Sequence, residues 1–79
     1  MNIYLISQDV NTGYDTFDSA VVCAVSEEDA RDIHPYEYEH WGNKERGTWC
    51  FRNEVKVDLI GVAKRGAKRE VICSSFNAG

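Results

Sequence analysis

The sequence predicts an α+β domain with the order β-β-α-β-β, in which a four-stranded, mostly antiparallel sheet carries one short helix on one face. Three observations lead to this fold class. Four stretches have the β-branched or alternating apolar residues of strands. One stretch between the second and third strand has clear helix start and stop signals. Polar segments with glycine separate the strands of each pair. A helix on one face of a sheet is a stable two-layer arrangement.

The first two strands are predicted at residues 2–7 and 17–25, joined by the polar turn 8–16 as an antiparallel hairpin. In the second strand both faces are mostly apolar, which is typical of a central strand. Simple alternation divides that strand into two faces. One face has Phe17, Ser19, Val21, Cys23 and Val25, and the other has Asp18, Ala20, Val22 and Ala24.

The helix follows this strand directly and is predicted to be about two turns long. Ser26 can cap its first free N–H groups, and three acidic residues follow where the helix dipole is positive. Pro35 ends it. A helix this short is unstable alone in water, so Ala30 and Ile33 are expected to dock on the sheet.

The last two strands are predicted at residues 54–63 and 70–76. The basic turn 64–69, KRGAKR, contains Gly66, and we expect it to make residues 55–76 a second hairpin. Gly61 interrupts the third strand and indicates a bulge.

Residues 35–53 form a long irregular segment that holds five of the nine aromatic residues. A structureless loop of this length is unusual in a small domain, so it either carries function or folds back to close the core. The short helix covers only part of the sheet. This segment or a second subunit is expected to cover the rest.

The 79 residues form a single domain, 1–79, near the lower size limit for folding without staples, which makes a homodimer one of the two oligomeric states we consider. Three cysteines and no signal peptide indicate reduced thiols in a cytoplasm, and no apolar run is long enough for a membrane span. Charge is uneven: residues 1–40 have nine acids and one base, and residues 41–79 have eight bases and four acids. Either this asymmetry marks a partner surface, or the two halves attract each other within the fold.

The sequence predicts no metal site, no cofactor and no enzymatic activity. His34, His40 and Cys50 lack the spacing of a zinc site, and no serine lies in a nucleophile-elbow context. A thiol-active enzyme that uses Cys50 and His40 is a third reading, and it predicts that alanine substitutions there reduce biological activity.

Two nucleic-acid-related functions can be weighed from residue types. Aromatic rings with nearby arginines can hold a nucleotide by stacking and charge, and Trp41, Arg46, Trp49 and Arg52 have those types. The alternative is that both tryptophans fill the core. The basic turn 64–69 could contact phosphates, but the acidic balance of the chain argues against direct nucleic-acid binding.

Three stretches carry a resemblance to a known group of proteins: NIYLISQDVNTGYDTFDSAVVCA at residues 2–24, SEEDARDIHP at 26–35 and VICSSFNAG at 71–79. They resemble a family of small bacteriophage and prophage proteins of about this length. Residues 36–53 correspond to the part of the sequence that varies within this family. The family has no assigned activity, so no catalytic residues carry over. The resemblance implies an anti-defence role of the anti-CRISPR type, acting in the host cytoplasm, which is an analogy of size and fold.

The leading hypothesis is therefore a non-enzymatic, phage-type inhibitor that binds a bacterial defence or regulatory protein directly. The expected contact residues are Tyr36, Tyr38, Trp41, Arg46, Trp49 and Arg52, with a second, acidic set of Asp15, Asp18, Glu27, Glu28 and Asp32. The alternative is a small-molecule sponge that sequesters a nucleotide immune signal with Trp41, Trp49 and a basic residue.

Overall fold

The sheet is built around two central strands, β1 (Asn2–Ser7) and β2 (Thr16–Ala24). A computed structural model describes residues 1–36 and 47–78. In those ranges the chain continues with helix α1 (Glu27–Arg31), a 3-10 turn (Arg52–Glu54), β3 (Lys56–Val62) and β4 (Glu70–Asn77). The four strands lie in the order β3-β1-β2-β4, and every neighbouring pair is antiparallel. The fold is thus a four-stranded antiparallel sheet with one short helix.

The first hairpin forms as the sequence predicts. β1 pairs with β2 in an unbroken register from Asn2↔Ala24 to Ser7↔Ser19. β2 also pairs with β4, so it is an interior strand. The mostly apolar strand is therefore central, as predicted, and Val22 and Ala24 on one of its faces are fully buried.

The predicted second hairpin is wrong, because β3 and β4 form the two opposite edges of the sheet. β3 pairs with β1, as in Ile6↔Val57, and β4 pairs with β2, as in Val21↔Cys73. The link 63–69 therefore passes the ends of both central strands. Three strand spacings are about 14 Å, which seven residues can easily span. Gly66 has a φ of 86° and makes the turn in this link, but a turn alone does not decide which strands pair.

Helix α1 begins where the sequence signals predict, but its five residues make it shorter than the predicted two turns. The Ser26 hydroxyl accepts a hydrogen bond from the Asp29 N–H at 3.1 Å, and the helix ends at Arg31, before Pro35. Ala30 and Ile33 are buried against the sheet. The helix lies over β1, β2 and β3. Its docking makes one face of the sheet the core face.

The core face is lined by alternate residues of the central strands. Ile6, Val22 and Ala24 have no exposed surface, and Tyr4 and Ala20 are nearly as buried. Phe17 also belongs to this cluster, contrary to the simple alternation that places it with Val21 and Cys23. The register between β2 and β4 shifts between Phe17 and Ser19, and this bulge turns the Phe17 ring to the core. There it meets Phe76 edge to face, with ring centroids 4.8 Å apart.

Two further irregularities modify the edge strands. The register between β1 and β3 shifts opposite Ile3 and Tyr4, which leaves Ile60 as the extra residue, one position before the glycine that suggested a bulge. A second shift leaves Ile72 as the extra residue in β4. Leu59 follows the core-facing Val55 and Val57 in the sequence pattern, but it is 63% exposed beside this bulge.

Candidate interaction surface

The first predicted contact set is only partly at the surface. Tyr38, Trp41 and Arg46 lie outside the described residues. Tyr36 follows the helix and is 46% exposed. Trp49 and Arg52 are described in full, and each differs from the expectation in its own way.

Trp49 is a core residue, so its assignment as a contact residue is wrong for the folded chain. Its side chain is fully buried among the apolar residues of the core face. The chain beside it is fixed to the first hairpin, because the Phe17 N–H donates to the Thr48 carbonyl at 2.8 Å. Asn11 adds two bonds, from its Nδ2 to the carbonyls of Gly47 at 2.9 Å and Trp49 at 2.8 Å. The described end of the aromatic segment therefore closes the core.

Arg52 is exposed but is held by two acidic residues of the helix region. Its guanidinium binds Glu28 at 2.8 Å and also forms a close pair with Asp32. The hydrogen bonds to Asp32 and Glu28 raise the pKa of Arg52 above its ordinary value. Glu28 and Asp32, both predicted contact residues, thus meet a third predicted contact residue. The three form an ion-pair cluster that ties α1 to the 3-10 turn.

Similar pairs join the acidic first half of the chain to the basic second half. Lys56 binds Asp9 at 2.7 Å, and Arg69 binds Asp29 at 2.7 Å. The hydrogen bond and charge of Lys56 lower the pKa of Asp9. Together with the Arg52 cluster, these contacts support attraction within the fold as a cause of the charge asymmetry.

The predicted acidic set is divided into two places. Asp15 and Asp18 lie at the beginning of β2, whereas Glu27 and Glu28 follow the end of that strand. Glu27 lies 3.8 Å from Arg31, one helical turn away. Asp15 and Asp18 are exposed and form no ion pair with any residue in 1–36 or 47–78. Within the described ranges, their negative charges are the ones in the acidic set that no basic side chain pairs with.

The second face of the sheet, which we call the open face, has no layer over it among the described residues. Its centre consists of Ile3, Leu5, Val21, Cys23 and Cys73, which share this face by the strand register. Leu5 and Val21 are partly exposed, although their neighbours Ile6 and Val22 are completely buried on the core face. Only Cys23 is buried at this centre, and its sulfur lies 3.6 Å from that of Met1.

Polar residues surround this apolar centre. Lys56 and Asp58 lie on the β3 side and Glu70 on the β4 side, and a row of serines closes one end: Ser7, Ser19 and Ser75. An apolar centre with a polar rim is the ordinary anatomy of a protein interface. The signal in the sequence was the alternation of Ile3, Leu5 and Val21, which places apolar side chains on the side of the sheet away from the helix.

Metal-ligating and thiol side chains can be located within the described residues. These residues contain no group of three or more histidine, cysteine or acidic side chains placed to hold a metal ion. The three cysteines form no disulfide; Cys23 and Cys50 are buried and Cys73 is exposed. In the same ranges of the chain, no helix is long and apolar enough to cross a membrane.

Comparison with known proteins yields no relative. No protein-family model matches the chain, and neither the curated proteins nor the solved structures contain a significant match.

Proposed function

We propose that this protein is a non-enzymatic, phage-type binding protein that inhibits a bacterial defence or regulatory protein by direct contact. The open face carries the proposal. A sheet that buries one face under a helix and leaves the other apolar and uncovered has surface available for a macromolecular partner. The sequence resemblance supplies the biological context, and the charge pattern supplies a second contact region.

The contact residues that we propose differ from those predicted from the sequence. Leu5 and Val21 form its centre, and Asp15 and Asp18 contribute free negative charge that could meet a basic groove. Tyr36 remains in the proposal as an exposed aromatic side chain. Tyr38, Trp41 and Arg46 also remain proposed contact residues, and only their residue types support them.

Other predicted contacts now have a structural explanation. Trp49 fills the core, and Arg52 forms ion pairs with Glu28 and Asp32. Glu27 lies beside Arg31. The burial of Trp49 also removes one of the two stacking rings that the nucleotide-sponge alternative requires, and no observation favours that alternative.

The test is capture from a bacterial lysate on the immobilised protein at moderate salt, followed by mass spectrometry. We expect one stoichiometric protein to be retained. Leu5→Lys and Ser19→Lys place a charge on the open face and should abolish retention. Asn53→Lys, on the exposed 3-10 turn, is the matched control and should retain the partner.

Two outcomes contradict the proposal. Retention of no stoichiometric protein contradicts it, and so does equal retention by the open-face variants and the control. Each variant is first checked for an unchanged melting temperature, since unfolding alone would also abolish binding. A gain of several degrees in melting temperature with a cyclic nucleotide would favour the sponge instead.

A further inference from the structure

The two edges of the sheet differ in how well they are protected from pairing with another strand. Both edge strands have a bulge, at Ile60 in β3 and at Ile72 in β4, but β3 also has two exposed charged residues, Lys56 and Asp58. Charged side chains and bulges are the usual devices that prevent an edge strand from pairing. β4 has a bulge at Ile72 and then an uninterrupted stretch to Asn77 with no charged residue and no proline. β4 is therefore the less protected edge.

The exposed residues of β4 form a symmetrical pattern. Residues 72–76 are all exposed, and the two large apolar ones are Ile72 at 50% and Phe76 at 46%. They lie equally far on either side of Ser74. In an antiparallel pair of two identical strands centred on Ser74, Ile72 of each copy lies opposite Phe76 of the other. Cross-strand pairs of an aromatic and a β-branched residue stabilise antiparallel sheets.

The charges are compatible with this pairing. Glu70 is the one charged residue in β4 and lies at its beginning. In an antiparallel pair centred on Ser74, it lies far from Glu70 of the second copy. The Lys68 ammonium lies 3.6 Å from the Glu70 carboxylate of the same copy and partly offsets its negative charge. Asp15 and Asp18 belong to the neighbouring end of β2, so they approach the basic link 63–69 of the second copy, where Lys64 and Arg65 are exposed. The acidic beginning of β2 in each copy therefore faces the basic link 63–69 of the other copy.

We propose that two copies of this chain pair through β4, in antiparallel register centred on Ser74, to form one continuous eight-stranded sheet. The interface is isologous, as a two-fold dimer requires. The helix lies over β1, β2 and β3, so it does not occupy this edge. Pairing adds backbone hydrogen bonds along residues 72–76 of β4, covers Ile72 and Phe76, and joins the two open faces into one surface.

The first test is sedimentation velocity of the wild-type chain from low micromolar to several hundred micromolar concentration. We expect a monomer–dimer equilibrium. Ser74→Lys places two lysines directly opposite each other at the two-fold axis, with Cβ atoms about 5 Å apart, and their like charges should weaken the dimer about tenfold or more. Ile60→Lys also introduces a lysine at an exposed residue, but on the other edge strand, and should leave the dimer unchanged.

A second variant tests the register and does not depend on the folding of Ser74→Lys. In the proposed register Cys73 lies opposite Ser75 of the second copy, so Ser75→Cys should allow oxidation to a dimer with two intermolecular disulfides. Native Cys73 alone, opposite serine, should not cross-link efficiently. The matched control, Lys56→Cys, places the new thiol on the exposed β3 edge and should give no such dimer.

Three outcomes would overturn the proposal. They are a wild-type chain that is monomeric at every concentration, a dimer that Ser74→Lys leaves intact, and a dimer that Ile60→Lys dissociates equally. If a monomeric chain instead binds another protein through β4, that result also overturns self-pairing and assigns the edge to a different strand. The open-face experiment is independent of these outcomes.

Discussion

Gln8 binds the main chain of Asn11 with both ends of its side-chain amide. Its Nε2 donates to the Asn11 carbonyl at 2.6 Å, and its Oε1 accepts from the Asn11 N–H at 2.8 Å. The same Oε1 accepts from the Val10 N–H, and the same Nε2 donates to the Phe17 carbonyl, both at 2.9 Å. Gln8 is only 7% exposed. One buried amide therefore binds three backbone groups of the loop between β1 and β2 and one of β2 itself.

Gln8→Glu should destabilise the chain by about 3 kcal/mol at neutral pH, because a carboxylate cannot donate to the two carbonyls and is itself buried. The carbonyls favour the protonated acid, so the folded-state pKa of the new side chain lies above its unfolded value. The loss should therefore shrink as pH falls through the raised pKa. Urea unfolding at several pH values measures this. Asn53→Asp, an exposed new carboxylate, should change the free energy of unfolding by less than about 0.5 kcal/mol. A Gln8→Glu effect independent of pH would contradict the assignment.

Asn11→Ala should lower the free energy of unfolding by about 2 kcal/mol. The change removes the donor that binds the carbonyls of Gly47 and Trp49, which join the first hairpin to the returning chain. Chemical denaturation gives the value. Asn53→Ala removes an amide of the same size at an exposed site and serves as the control. Equal stability of the two variants would mean that the Asn11 bonds do not hold this segment.

Trp49→Ala should cost about 3–5 kcal/mol because it leaves a large cavity in the core. Trp49→Phe should cost clearly less. It keeps most of the apolar ring, and the indole N–H that it removes has no hydrogen-bond partner among the described residues. The comparison of the two variants by denaturant unfolding separates lost volume from lost polarity. If both variants keep wild-type stability, Trp49 is not a core residue.

Asp29 and Arg69 should couple the helix to the link between β3 and β4. The Asp29 carboxylate accepts from the Arg69 Nε at 2.7 Å and from the Val25 N–H at 3.1 Å. We expect Asp29→Asn to cost about 1 kcal/mol and Arg69→Gln less, because Val25 loses its charged acceptor only in the first. A double-mutant cycle should give a coupling energy of about 0.5 kcal/mol. Strict additivity would show that the pair contributes nothing.

The same carboxylate predicts a pH dependence. Burial raises the pKa of Asp29, but the Val25 N–H and Arg69 outweigh it, so the pKa lies below the ordinary 3.8. A carboxyl with a lowered folded-state pKa stabilises the chain fully above its unfolded pKa and loses that contribution as pH falls through the folded value. The difference in unfolding free energy between wild type and Asp29→Asn should therefore decrease below about pH 4. A constant difference down to pH 2 would contradict this.

The local elements were predictable from the sequence because their causes are local. Alternation placed β1 at Asn2–Ser7, and the capping Ser26 and the breaker Pro35 bounded α1. The burial of Ala30 and Ile33 followed from the need of a short helix to dock. The candidate site was less predictable. Tyr36 and Arg52 are at the surface as expected, but residue type alone cannot distinguish a contact tryptophan from a core one, as Trp49 illustrates.

The sequence by itself determined the fold class, the positions of the strands and helix and the apolar alternation of both sheet faces, because these depend on residues close together in the chain. Only the tertiary structure decided that β3 and β4 lie at opposite edges, that a bulge turns Phe17 inward, that Trp49 fills the core and that Arg52 pairs with Glu28 and Asp32. These features depend on which distant segments meet. That choice is made by the packing of the whole core, where a paired edge and a filled cavity outweigh the preference of a single turn.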